Sequence, residues 1–220
     1  NNMKKSTLMK QSFNLVVLLA IAFAIVNSAF SQDSGIIDKA GQEMKAGKYA
    51  EAVASYTQAI EKQQSYAPSF YGRGLAYSYL EKYSLAVDDF SKAVKLDPAY
   101  DKAFYAMGLA KARLGKNDDA LKDLSSAISI NSKITNYFYA RANVNENLKS
   151  YNDALLDYSR AIQIDPNYGL AYYGRGVINW HLGNDSDALL DFQIYIQKNG
   201  NRDGYEAEAK RMMDEIKKKK

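Results

Sequence analysis

The sequence predicts an all-helical chain, built as a row of stacked helical hairpins, and three observations carry that prediction. Ala52, Ala86, Ala120, Ala154 and Ala188 recur at one constant interval with similar neighbours each time, and a fixed period of that length marks an array of one repeated unit. Within the unit 67–100, Phe70, Tyr77, Leu80, Tyr83, Val87, Phe90 and Val94 fall mainly at three- and four-residue steps, which lines them along one helical face. Punctuation falls between the apolar runs, at Gly47, Gly115 and Gly183 and at Asp97-Pro98 and Asp165-Pro166.

The segment 1–31 is of another kind. Lys4, Lys5 and Lys10 precede an apolar run at 13–26, no acid occurs before Asp33, and Ala29-Phe30-Ser31 supplies small residues where a signal peptidase reads. The expectation is a secretory signal cleaved before Gln32. The alternative is an uncleaved membrane anchor, because the run falls short of the roughly 20 apolar residues of a span but approaches it when continued to Phe30. Met3 is the expected translation start of a short basic leader of bacterial appearance. The sequence contains no cysteine, which removes disulfides, thiol chemistry and the residue a lipid-anchored lipoprotein carries at its mature end. Export without cysteine points to a periplasmic or secreted protein.

Five units are expected next, at 33–66, 67–100, 101–134, 135–168 and 169–202. In each, one helix carries a small residue, Ala40, Gly74, Gly108, Ala142 or Gly176, facing the alanine of the second helix. Glycine inside a helix costs about 1 kcal/mol against alanine, so close packing is the reason to keep it. A further small place, Ala59, Ala93, Ala127 and Ala161, lets the second helix meet the next unit, and Tyr195 breaks that row. Glu81 and Lys149 replace the turn glycine in two units, and Asn131-Ser132 replaces Asp-Pro in the third. The remainder, 203–220, sets Tyr205, Ala209, Met212, Met213 and Ile216 at helical spacing with acids early and lysines late. That pattern is expected of a helix covering the last apolar face, ending in a solvated lysine tail.

Composition excludes several functions. The formal charge is +4, yet without the three leader lysines there are 26 basic and 25 acidic residues, and without the last four lysines 22 and 25. The repeat body has no basic excess for phosphates, so nucleic acid is not an expected partner. His181 is the only histidine; a triad or a paired-histidine metal site cannot be assembled around it. No enzyme activity, cofactor or metal is expected. Gly72-Arg73-Gly74 and Gly174-Arg175-Gly176 lie within predicted helices without a preceding strand, so they are packing glycines rather than phosphate loops. Arg73, Arg141 and Arg175 recur on first helices and Asp89, Asp123, Asp157 and Asp191 on second helices, as expected of ion pairs within hairpins. Met107 replaces the third arginine, which predicts that Asp123 lacks this partner.

The period and the residues quoted above resemble the tetratricopeptide repeat family over positions 33–202. The resemblance implies a right-handed α-solenoid whose first helices line a concave, ligand-binding surface. The concave places it implies hold Ile37 in the first unit, then Tyr71, Tyr105, Tyr139 and Tyr173; one turn on, Leu75, Leu109, Asn143 and Val177; and a turn further, Tyr79, Arg113, Asn147 and His181. Chaperone-tail-binding members clamp a terminal carboxylate with Lys, Asn and Arg. Here the matching places mostly hold Tyr, Leu, Gly and Ala, with Lys102 the main agreement, so that activity is not expected. The tyrosine row either flanks an extended peptide or packs half-buried for stability. The functional expectation is a protein- or peptide-binding adaptor of the bacterial envelope, with a structural or assembly subunit of an envelope or secretion complex as the alternative.

Overall fold

The five alanines that set the period are each at 0% exposure in the computed structural model, which describes residues 35–63, 66–199 and 203–218. They lie where paired helices cross. Each hairpin joins a first helix to a second: α1 (35–45) to α2 (Tyr49–Lys62), α3 (Ala67–Tyr79) to α4 (Tyr83–Leu96), α5 (Asp101–Arg113) to α6 (Asn117–Ile130), α7 (Thr135–Asn147) to α8 (Tyr151–Ile164), and α9 (Gly169–His181) to α10 (Asp185–Asn199). A single helix, α11 (Glu206–Lys218), follows. The architecture is a right-handed α-solenoid with a capping helix, and no strand occurs among the described residues. The expected leader lies outside the described residues. No helix among those described is long and apolar enough to cross a membrane.

Small side chains let the hairpins close. A Cβ at Gly74 would stand 2.6 Å from Phe90 Cε1, and one at Gly108 would stand 2.8 Å from Leu124 Cγ and 3.2 Å from the Ala120 carbonyl oxygen. Those contacts are too short for a Cβ to fit unless Phe90 or Leu124 gives way. Gly72 and Gly174 serve a different interface, because the rings of Tyr56 and Tyr158 from the preceding hairpin fill the space a Cβ would need. The Gly-Arg-Gly runs are therefore packing sites on both sides of α3 and α9.

The turns inside the hairpins are closed by backbone. Lys48, Lys82, Lys116, Ser150 and Asn184 each return an N–H to a carbonyl five residues earlier at 2.8–2.9 Å, the bond that closes a helix C-terminus through a left-handed residue. Glu81 and Lys149 adopt that conformation at φ 58° and 59° in place of glycine. Between hairpins, Asp97 Oδ1 and Asp165 Oδ1 accept from the backbone two residues on, and Asn131 Oδ1 does the same for Lys133 at 3.2 Å. Asn131 thus reproduces the Asp-Pro turn without proline.

Curvature follows from which helices touch. Among the described residues α3 packs on α5, α5 on α7 and α7 on α9, whereas the second helices α4, α6, α8 and α10 do not approach one another in the same way. First helices form the inner, concave face and second helices the outer one. At the C-terminal end, Tyr195 occupies the otherwise small place and is fully buried with Ala209, Met212, Met213 and Ile216 of α11. The last interface is built differently from the others.

The recurring arginines and aspartates do pair, as forks. Arg141 Nε and Nη2 donate to Asp157 Oδ2 and Oδ1 at 2.8 and 2.7 Å, and Arg73 with Asp89 and Arg175 with Asp191 repeat the geometry. The remaining nitrogen, Nη1, donates to Thr57, Ser125 or Ser159 on the preceding hairpin at 2.9–3.1 Å. Each guanidinium also lies over the ring of Phe70, Phe138 or Tyr172. One side chain therefore joins two helices of its own hairpin to the hairpin before. Asp123 lacks the arginine partner, as expected, and is met instead by Lys111, whose Nζ stands 2.6 Å from Asp123 Oδ2. Lys111 stands one helical turn beyond Met107, at the place from which Asn145 and Asn179 donate to Asp157 and Asp191 at 3.4 Å. Burial still raises the Asp123 carboxyl above the usual range, with Lys111 acting against it.

Candidate functional site

The inner face begins with the tyrosine row, and each ring in it has an aromatic partner from farther along the chain. Tyr71 packs on Tyr100 at 5.0 Å between ring centres, Tyr105 on Tyr137 at 4.8 Å, Tyr139 on Tyr168 at 5.2 Å and Tyr173 on Tyr205 at 4.7 Å. Burial raises the hydroxyl pKa along the row, and pushes those of Tyr100 and Tyr168 up to about 12. The tyrosines are neutral, half-buried walls that tie one hairpin to the next. Their exposed edges frame the groove.

The open space lies beyond them, one and two helical turns along the first helices. A recess of about 320 Å³ is lined by Leu75, Ser78, Tyr79, Tyr83, Ala106, Leu109, Ala110 and Arg113. The neighbouring one, about 310 Å³, is lined by Tyr105, Leu109, Ala112, Arg113, Tyr139, Ala140, Asn143, Val144 and Asn147. Leu109 and Arg113 of α5 form the wall between the two. Of the residues expected from sequence, Leu75, Tyr79, Tyr105, Leu109, Arg113, Tyr139, Asn143 and Asn147 meet here. Tyr83, at the start of α4, joins them without a signal in the sequence that places it in the groove.

Polar groups in this lining differ in how firmly they are held. Tyr158 reaches in from α8, and its hydroxyl stands 2.6 Å from Asn143 Oδ1 and 2.6 Å from Glu146 Oε2, which fixes the Asn143 amide. Tyr79 is 61% exposed, with its ring stacked on Tyr49 at 4.5 Å and 5°. Arg113 and Asn147 are exposed, and neither side chain makes a hydrogen bond or ion pair among the described residues. Arg113 is the one charged residue lining either recess.

The remaining expected residues are placed elsewhere. Val177 is corrected from the groove to the core: it is 8% exposed and packs in the cluster formed with α11, whose docking covers that end of the array. Tyr173 is engaged there too, donating to Glu208 Oε2 at 2.8 Å. His181 stacks on Tyr151 at 5.8 Å and 5° and stands beside Trp180. Lys102 is exposed on the first turn of α5, at the opposite end of that helix from Arg113. Tyr71 lies against Phe90 as well as Tyr100.

The outer face also has clefts, between successive second helices. One of about 320 Å³ is lined by Leu155, Ser159, Arg175, Asn179, Asp187, Leu190 and Asp191, and one of about 300 Å³ repeats it a hairpin earlier around Arg141 and Asp157. Their floors are the arginine forks. Nε, Nη1 and Nη2 of each guanidinium there are already bonded.

Fold and inner groove together define a helical-repeat solenoid with an open concave face. Profile comparison identifies the repeats: a tetratricopeptide repeat profile matches residues 67–100, and a TPR repeat profile matches residues 42–80 and 147–183. Among curated proteins none matches the sequence. The solved structures it resembles include YrrB, described as a TPR protein with an unusual peptide-binding site, at 26% identity over 80% of this chain and 90% of that one, with a TM-score of 0.68. They also include MamA, at 21% identity over 72% and 93% with a TM-score of 0.69. MamA from Desulfovibrio magneticus RS-1 aligns at 17% identity over 78% and 97%, with a TM-score of 0.72.

Proposed function

We propose that this chain is a non-catalytic adaptor of the bacterial cell envelope that holds an extended segment of another protein along its inner face. The observation that carries the reading is the pair of adjoining recesses about Leu109, where apolar surface lies beside side chains with unused hydrogen-bonding capacity. Binding pockets have that composition, mostly apolar with a few convergent polar groups. The TPR fold, and the peptide-binding site described for YrrB, support the same role. The envelope setting rests on the basic, then apolar leader: release before Gln32 gives a periplasmic or secreted protein, and retention gives an anchored one.

Selection of a random decapeptide display library on the immobilised protein tests the adaptor role. Enrichment that Leu109→Glu abolishes supports it, because an added carboxylate in the shared wall spoils both recesses. Enrichment that survives Leu109→Glu places binding elsewhere and overturns it. An alkaline phosphatase fusion, active only after export, together with N-terminal sequencing, tests the setting; an inactive fusion contradicts it.

A second reading is a structural or assembly subunit that works through the outer face. Leu156 and Leu190, on consecutive second helices, are 70% and 55% exposed, and large apolar side chains at matching places on neighbouring hairpins form a stripe that another surface can cover. Light scattering separates the two. A monomer with an empty groove fits the adaptor, and an oligomer dispersed by Leu156→Lys with Leu190→Lys fits the assembly subunit.

A further inference from the structure

Resting on the adaptor reading, the chemistry of the groove narrows what kind of segment it takes. We infer that the inner face selects peptides in which an acidic side chain lies next to an apolar or aromatic one, the apolar group entering the recess of Leu75, Tyr79, Tyr83 and Leu109 and the carboxylate meeting Arg113. Neither recess carries an acid, and Arg113, which lines both, has no partner among the described residues. Its guanidinium is a forked donor matched to a carboxylate. Arg113 is exposed in the free chain, and an apolar group seated against Leu109 beside it would exclude water and so strengthen the contact with a carboxylate. A basic segment would set like charge against Arg113 while gaining no acid in either lining, and like-charge contact is a strong element of discrimination.

One arginine also limits the ligand. Phosphate groups are recognised by clusters of arginine, and these linings hold a single cation amid apolar surface. A side-chain carboxylate of single charge fits this better than a phosphopeptide or a nucleic acid. The site is separate from any clamp on a chain terminus, because it lies at the end of α5 away from Lys102.

The test uses the full chain and C-terminally amidated decapeptides taken from the display selection, so that no terminal carboxylate contributes. Selected sequences are expected to be enriched in Asp or Glu beside an aliphatic or aromatic residue. Exchanging that acid for its amide should weaken binding about ten-fold by fluorescence anisotropy, the size of one charge-assisted contact. Arg113→Gln should erase the difference between acid and amide, and Arg113→Lys should restore part of it. Equal binding of acid and amide peptides by the unaltered chain, a preference for basic or phosphorylated peptides, or a preference that survives Arg113→Gln overturns the inference. When binding is lost in Leu109→Glu but shows no preference for acid, only the charge assignment falls. When binding survives Leu109→Glu, or no sequence is enriched at all, the adaptor reading falls with it.

Discussion

The outer and inner faces of this solenoid use arginine in opposite ways. On the second-helix side, Arg73, Arg141 and Arg175 are bonded through Nε, Nη1 and Nη2 to an aspartate and to a hydroxyl of the preceding hairpin. On the first-helix side, Arg113 lines two recesses and its guanidinium is bonded to nothing among the described residues. The same side chain is structural where its partners recur with the repeat, and is left available where no acid stands opposite. Periodicity builds the rod, and departure from periodicity marks the groove, since Tyr79, Asn147 and His181 hold the equivalent place in other units.

The comparison breaks most visibly on the outer side. Arg141→Ala leaves Asp157 buried without its counter-charge, and chemical denaturation should show a loss of about 3 kcal/mol, the low end for breaking a buried pair because Arg141 keeps some solvent contact. A loss below about 1 kcal/mol would mean that the fork is no more than a surface ion pair. Next in size is Gly108→Val, which presses Leu124 and the Ala120 carbonyl away from α5. A cost of about 2 kcal/mol is expected in a thermal melt followed by circular dichroism, with the transition broadened because neighbouring hairpins are uncoupled. An unchanged melt contradicts the packing described.

The third unit, with the hairpin before it, holds every part of the fork except the arginine. Phe104, Ser91 and Asp123 stand at the places of Phe138, Ser125 and Asp157, with Met107 where Arg141 would be. Met107→Arg combined with Lys111→Asn should therefore rebuild the fork and raise stability by about 1 kcal/mol; a loss would show that Lys111 is the better partner for this buried carboxylate. The smallest effect belongs to the inner face. Arg113→Ala should change stability by no more than about 0.5 kcal/mol, and a larger loss would mean that Arg113 is structural after all.

Spacing makes the fold legible. Five alanines and their facing small residues require crossing helices, and Tyr195, standing out of the small row, announces a different last interface. Within the groove, Leu75, Leu109, Arg113 and Asn147 follow by helical register once the resemblance to the tetratricopeptide repeat family has set the first helices on the concave side. The rest depends on how far one hairpin is displaced over the next, which the repeat period does not fix. For that reason the contacts of Thr57, Ser125 and Ser159 cannot be read from the pattern, although these residues recur in register with the arginines. The same displacement sets the stacking partners of the tyrosine row. Tyr71 and Tyr139 meet Tyr100 and Tyr168, just before the next first helix, whereas Tyr105 meets Tyr137 inside it and Tyr173 meets Tyr205 ahead of the capping helix. Val177 departs from its expected place because the capping helix covers its end of the array. Lys111 shares the register of Asn145 and Asn179, whose amides also reach the aspartates of their hairpins, but a lysine there differs from the asparagines of the other units, so the pairing shows only in the structure.

Nuclear magnetic resonance titration of the isotope-labelled chain with a selected acidic decapeptide is the most direct test of which face is available for binding. The amides of Leu75, Tyr79, Leu109 and Asn143 and the Arg113 side-chain Nε–H are expected to shift together, while those of Leu121, Leu156 and Leu190 stay in place. Shifts confined to the outer clefts around Arg141 and Arg175, with the Arg113 signal unmoved, would contradict it.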